Sequence, residues 1–194
     1  HHEVMMAQLC RLFKDPVLLQ HLQRIIQSYE ASEGRGLPIG NLTSQYFANH
    51  YMAVSDHWAK ERLRVKAMAR YMDDIVLLDN DKDVLMRQVR ALTDYIGETL
   101  RLEMHEPIVN RTKFGIPFLG YVVYRDSLRL SGRSARRFRC KMQQLSDGLY
   151  SGAISEQEYT MRAQCLMAFV GKADSSGYRH HLQLTYEGIY PEGL

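Results

Sequence analysis

Apolar residues return along this chain with two periods, and the change of period divides it. Over residues 3–29 the period is helical, with one break at Asp15-Pro16. Proline's fixed φ suits the first turn of a helix and aspartate suits the position before it, so Asp15 is expected to cap a second helix. In that helix Leu18, Leu22, Ile25 and Ile26 recur at helical spacing. Residues 32–41 hold three glycines and a proline and predict a loop. A long helix follows, capped by Asn41 or Thr43 and running to about Leu63. Phe47, Tyr51, Val54 and Trp58 are its expected apolar stripe.

The period shortens between Lys66 and Asp79. Two apolar segments, 67–72 and 75–79, flank Asp73-Asp74 and predict a buried β-hairpin with acids at the turn. Asp81 should cap a helix to about Leu100, with Leu85, Val89, Leu92 and Ile96 on one face. Residues 100–104 read as a short strand, followed by a loop through Pro107. Residues 118–124 and Leu128–Leu130 read as another hairpin. Beyond Ser131 the pattern is helical and basic, with breaks near Ser151-Gly152 and Gly171. The expectation is α+β up to residue 130 and all-α from 131.

A length of 194 residues suits one domain, or one and a half small ones. With 45% hydrophobic and 24% charged residues, the chain is neither disordered nor a coiled coil as a whole. Apolar runs such as Ile75-Val76-Leu77-Leu78 fall far short of the roughly 20 residues of a membrane span. The net charge of +3 names no partner, but its distribution is uneven. Between Arg125 and Lys141 stand seven basic residues and one acid, Asp126. Cys10, Cys140 and Cys165 are odd in number and irregularly spaced, which fits neither a disulfide framework nor a zinc site. They read as buried or incidental thiols of a reducing compartment. The pairs His1-His2 and His180-His181 lack metal-ligand spacing. The start has no signal-peptide core and no initiator Met, and reads as the interior of a longer protein.

The sharpest chemistry is Tyr71-Met72-Asp73-Asp74 between two strand segments. Two carboxylates held together repel, and each raises the other's pKa unless a cation stands beside them. Mg²⁺ is the natural cation, being hard and partial to oxygen ligands and phosphate-bearing substrates. Two such ions can activate a 3′ hydroxyl and stabilise a pyrophosphate leaving group. Asp-Asp alone is common turn chemistry. The full string is more specific, since a given tetrapeptide arises by chance in a chain this long roughly once in a thousand.

In this context the string resembles the active-site motif of reverse transcriptases. Upstream, the run from Gly36 through Pro38, Ile39, Gly40 and Asn41 to Ser44-Gln45 resembles the loop and helix that line their nucleotide pocket. Downstream, Asn110-Arg111-Thr112-Lys113 and Phe118-Leu119-Gly120-Tyr121 resemble later palm motifs and the primer grip. The resemblance implies a polymerase palm over 1–130, a β-hairpin with flanking helices, and a mostly helical thumb over 131–194. It implies RNA-directed DNA polymerase activity. Asp73 and Asp74 would bind metal, and Lys113 would neutralise or protonate pyrophosphate. Ile39, Gly40, Ser44, Gln45 and Tyr71 would line the nucleotide pocket, with Phe118, Leu119, Gly120 and Tyr121 as the primer grip. Arg133, Arg136, Arg137 and Lys141, near one helical face, would follow nucleic-acid phosphates.

Most reverse transcriptases carry Pro-Gln-Gly in the pocket loop, whereas this chain has Pro38-Ile39-Gly40 followed by Ser44-Gln45. That pattern resembles the enzymes of diversity-generating retroelements, which copy a template RNA with frequent errors opposite adenine. An apolar Ile39 cannot discriminate by leaving a wrong polar partner unpaired, so low fidelity is the hypothesis. Unchanged misincorporation in Ile39→Gln would sink it. A retron or group II intron enzyme is the alternative within the class; a non-catalytic RNA-binding palm and thumb is the alternative outside it. The resemblance places a further palm aspartate on the order of ten residues before residue 1. The chain as given is therefore expected to be inactive alone. The implied partners are template RNA, the primer or cDNA strand, deoxynucleoside triphosphates, two Mg²⁺ ions in the complete enzyme and a small basic helical accessory protein. The implied setting is the cytoplasm of a bacterium, from a bacterial or phage gene, with no membrane.

Overall fold

The computed structural model describes residues 1–174. His180-His181 and the end of the expected thumb lie outside the described residues. The fold is α+β, in two compact units, His1–Pro107 and Ile108–Leu194.

The first unit runs α1 (His2–Leu12), α2 (Pro16–Gln27), α3 (Leu42–Glu61), β1 (Ala67–Tyr71), β2 (Asp74–Leu78) and α4 (Lys82–Tyr95). Three helices start where a short polar side chain meets orphan backbone N–H groups. Asp15 accepts from Val17 and Leu18 at 2.8 and 3.2 Å, Asn41 from Thr43 at 3.1 Å, and Asp81 from Asp83 and Val84 at 2.8 and 3.1 Å. The core joins Met5 and Leu9 of α1, Ile26 of α2, Phe47, Tyr51 and Met52 of α3, and Leu92 of α4. On α3 the buried row is Phe47, Tyr51, Ser55 and Ala59. It steps by four, so Val54 and Trp58 fall to its flank rather than completing the stripe. Trp58 instead stacks on Tyr95 of α4, with ring centres 4.2 Å apart.

β1 and β2 pair antiparallel from Ala67↔Leu78 to Tyr71↔Asp74. The hairpin is not buried as expected. One face, with Met68, Ile75 and Leu77, packs on the core, while Ala67, Ala69 and Tyr71 are exposed. Nor is 100–104 a strand. A π-helical turn, Ile96–Leu100, extends α4 and buries Ile96 and Leu100. Arg101 then enters the left-handed region at φ 54°, which ends the helix.

The second unit holds a 3₁₀ turn (Thr112–Phe114), β3 (Ile116–Phe118), β4 (Tyr121–Val123), β5 (Leu128–Leu130), α5 (Gly132–Tyr150) and α6 (Glu156–Gly171). Residues 118–124 are not one strand. The chain reverses at Leu119-Gly120, pairs Phe118 with Tyr121, and so builds a three-stranded sheet in the order β3-β4-β5. The change from strand to helix falls at Ser131, whose side chain caps α5 by accepting from the Ser134 N–H at 3.1 Å. The sheet groups with the helices that follow it: Leu130 packs against Phe138, Met142, Tyr159 and Val170. The Tyr121 hydroxyl donates to the Phe169 carbonyl at 2.7 Å, and the Leu128 N–H to Asp174 at 2.8 Å.

Cys10, Cys140 and Cys165 are all exposed, not buried. Among the described residues no helix is long and apolar enough to cross a membrane.

Candidate functional site

The β1–β2 hairpin closes with two residues, Met72 and Asp73, between the paired Tyr71 and Asp74. Two-residue hairpin loops require positive φ within the turn. Met72 supplies it at φ 54°, without glycine. Asp73 and Asp74 are both exposed. Among the described residues neither carboxylate takes part in a hydrogen bond or an ion pair, so both offer their oxygens outward. Such a donor set fits a hard cation. No group of three or more His, Cys, Asp or Glu side chains converges among the described residues. Tyr71 stands beside it, 56% exposed, rather than packed in the core.

A sequence reading had no means of finding what holds the turn. Arg70, whose side chain is 11% exposed, forms a two-pronged ion pair with Asp56 of α3. Its Nε lies 2.8 and 3.0 Å from the two Asp56 oxygens, and its Nη2 donates to Oδ2 at 2.6 Å. Nη1 donates to the Met72 carbonyl at 2.7 Å and to Asn49 Oδ1 at 3.2 Å. The only hint in the sequence is a lone arginine inside an otherwise apolar strand.

Asp73 and Met72 also border a cavity of about 610 Å³ inside the first unit. Its floor is apolar, from Met5, Ile26, Leu37 and Met52, and its rim carries Arg35 and Arg101. Leu37 belongs to the loop singled out above. In that loop Ile39 is 92% exposed. Gly40 sits at φ 83° with open space where a Cβ would be, so its backbone angle rather than crowding demands glycine. The Ser44 hydroxyl donates to the Pro38 carbonyl at 2.6 Å and ties the loop to α3. The cap itself is Asn41, and Gln45 is exposed. His2 is buried, with its Nε2 2.7 Å from the Gly36 carbonyl, and anchors the loop from the other side. Below it Tyr51 donates to the Leu100 carbonyl at 2.6 Å, and burial pushes its hydroxyl up to about 12.

At the far end of the hairpin Asp79 accepts from the Asp81 N–H at 3.0 Å, and Lys66 stands 3.6 Å away. The backbone hydrogen bond, then Lys66, hold its carboxyl below the usual range against the opposing pull of burial.

The remaining expected residues belong to the second unit. Lys113 is exposed on the 3₁₀ turn, 5.0 Å above the Phe114 ring. Phe118 and Tyr121 are half-buried, and Leu119 is exposed. The space beside Gly120 is already taken: a Cβ there would stand 2.8 Å from Ser134 Oγ and 3.1 Å from Phe169 Cζ. Gly120 therefore lets the turn lie against α5 and α6, where Tyr121 and Phe169 meet at 4.8 Å. Burial raises the Tyr121 pKa. Arg133, Arg136 and Arg137 share one shallow depression of α5 with Cys140. Lys141 is not with them; it lines a second depression between α5 and α6, beside Leu145 and Leu166.

The sequence matches no protein-family model and none of the curated proteins. The functional reading therefore rests on the motifs and their geometry.

Proposed function

We infer that the chain is the palm and thumb part of an RNA-directed DNA polymerase. The observation that carries this is Asp73-Asp74 on a tight hairpin turn, with outward carboxylates and a cavity bordering Asp73. Asp73 and Asp74 would hold Mg²⁺, which when bound supplies activation of a primer 3′ hydroxyl and stabilisation of pyrophosphate. The chain's own residues do the rest. Asp73 leads because it borders the cavity as well as the turn. Ile39, Gly40, Ser44 and Gln45 present a loop and helix end to a nucleotide, with Ser44 fixing the loop backbone. The exposed Tyr71 offers a ring beside the acids for a base or sugar to pack on. Phe118 to Tyr121 form a turn for the primer strand, and Lys113 is an exposed cation for phosphate. Arg133, Arg136 and Arg137 form a backbone-tracking surface for an A-form heteroduplex.

Ile39 in place of glutamine favours the error-prone, diversity-generating type. Its near-complete exposure leaves it free to meet a ligand, and its apolar side chain offers no hydrogen bond with which to test a base edge. A second reading, RNA binding without catalysis, draws on the three clustered arginines alone.

Primer extension by the full-length gene product separates the two. An RNA template with a DNA primer, deoxynucleoside triphosphates and Mg²⁺ should give extension that falls on the order of a thousandfold in Asp73→Asn. Wild-type protein that binds the heteroduplex but never extends the primer would overturn the polymerase reading in favour of the second.

A further inference from the structure

We propose that Arg70 is the positioning residue of the Asp73-Asp74 turn, acting through the Met72 carbonyl, with Asp56 and Asn49 as its mount on α3. This rests on the metal-binding reading of the two acids.

The argument begins with the backbone. A non-glycine residue at φ 54° is strained and persists only where its surroundings impose it. The carbonyl of Met72 belongs to the peptide plane that joins it to Asp73. Fixing that oxygen fixes the plane, and with it the direction in which Asp73 leaves the backbone. The Arg70 hydrogen bond of 2.7 Å does this. A flexible arginine could not, because its own side-chain freedom would be transmitted to the turn. Asp56 removes that freedom by gripping the guanidinium with both carboxylate oxygens, the geometry in which arginine loses least per bond. Asn49, seven residues before Asp56 and so on the same face of α3, takes the remaining direction.

The clamp also solves an electrostatic problem. A bare guanidinium beside two carboxylates would compete with a metal cation for them. Paired with Asp56, Arg70 brings shape without net charge. The first turn of the same helix carries Ser44 and its bond to Pro38, so α3 joins the pocket loop to the acidic turn through side chains about one to three turns apart.

The opposing electrostatic sign makes the idea testable. If Arg70 acted only through its charge, Arg70→Gln would relieve repulsion and tighten metal binding. If it positions the turn, the same change loosens binding. The measurement is Mn²⁺ titration of the 194-residue chain, followed by paramagnetic broadening at Asp73 and Asp74, with hydrogen exchange of their amides as a second readout. Arg70→Gln is expected to weaken Mn²⁺ binding five- to tenfold and to speed exchange at both amides. Arg70→Lys keeps the charge but not the fork, and should show most of the same loss. Asn49→Ala, which removes one mount only, should show a smaller loss and guards against a variant that does not fold. Binding as tight as wild type in Arg70→Gln and Arg70→Lys, with unchanged exchange, overturns the proposal and leaves the metal site standing. If wild-type chain shows no broadening at the acids and Asp73→Asn changes nothing, the metal reading itself falls. The clamp is then judged on exchange, and unchanged rates in Arg70→Gln reject it as well.

Discussion

Met72 and Leu119 hold the first place of two different hairpin turns at φ 54° and 51°, where an L side chain crowds its own carbonyl. At Leu119-Gly120 both central residues have positive φ, the geometry for which Asn-Gly is the least strained pair. Leu119 is exposed, so its side chain offsets little of that cost. Replacing Leu119 by Asn is therefore expected to raise stability by about 0.5–1 kcal/mol, read as a higher melting temperature. Gly120→Ala should do the reverse and cost about 2 kcal/mol, because its Cβ meets Ser134 and Phe169 as well as a forbidden angle. Equal melting temperatures for wild type and Gly120→Ala would mean that the turn does not sit against α5 and α6.

At the scale of elements, what was legible is what is local. Asp15 and Asp81 announce helix starts because a cap reads N–H groups two or three residues away. β3 was missed because three residues including Pro117 carry no period, and pairing with β4 alone makes them a strand. The Arg70–Asp56 pair spans 14 residues and two element types, and no pattern encodes it. The acidic turn was legible as a motif; its mounting was not. The other end of the same hairpin gives a pH prediction. Asp79 has a carboxyl pKa lowered in the folded state, chiefly by the Asp81 N–H. Its ionised form therefore favours folding. That contribution is fully present above its unfolded value near 3.8 and is lost as pH falls through the lower, folded value. Melting temperature should drop on acidification below about pH 4, and Asp79→Asn should flatten that part of the curve. An unaltered acid limb in Asp79→Asn would show that the Asp81 N–H and Lys66 do not stabilise the hairpin end.

For the whole molecule, net charge and charge placement give different answers about nucleic acid. A surplus of +3 over 194 residues predicts feeble, diffuse attraction. The structure gathers Arg133, Arg136 and Arg137 around one depression of α5, in the unit that does not carry Asp73 and Asp74. Each phosphate neutralised releases counterions, so every lost contact flattens the dependence of log affinity on log salt by about 0.7–0.9. If the three arginines follow one backbone, Arg133→Gln, Arg136→Gln and Arg137→Gln combined should flatten that slope by about 2–3 on an RNA–DNA heteroduplex. Lys141, in a different depression among Leu145, Met161 and Leu166, should contribute less than one such step. The comparison is made by fluorescence anisotropy across a salt series without Mg²⁺, so that the metal site does not enter. Equal slopes for the triple variant and wild type would show that the depression is an ordinary solvated helix face. A loss in Lys141→Gln as large as in the triple variant would move the interface to the groove between α5 and α6.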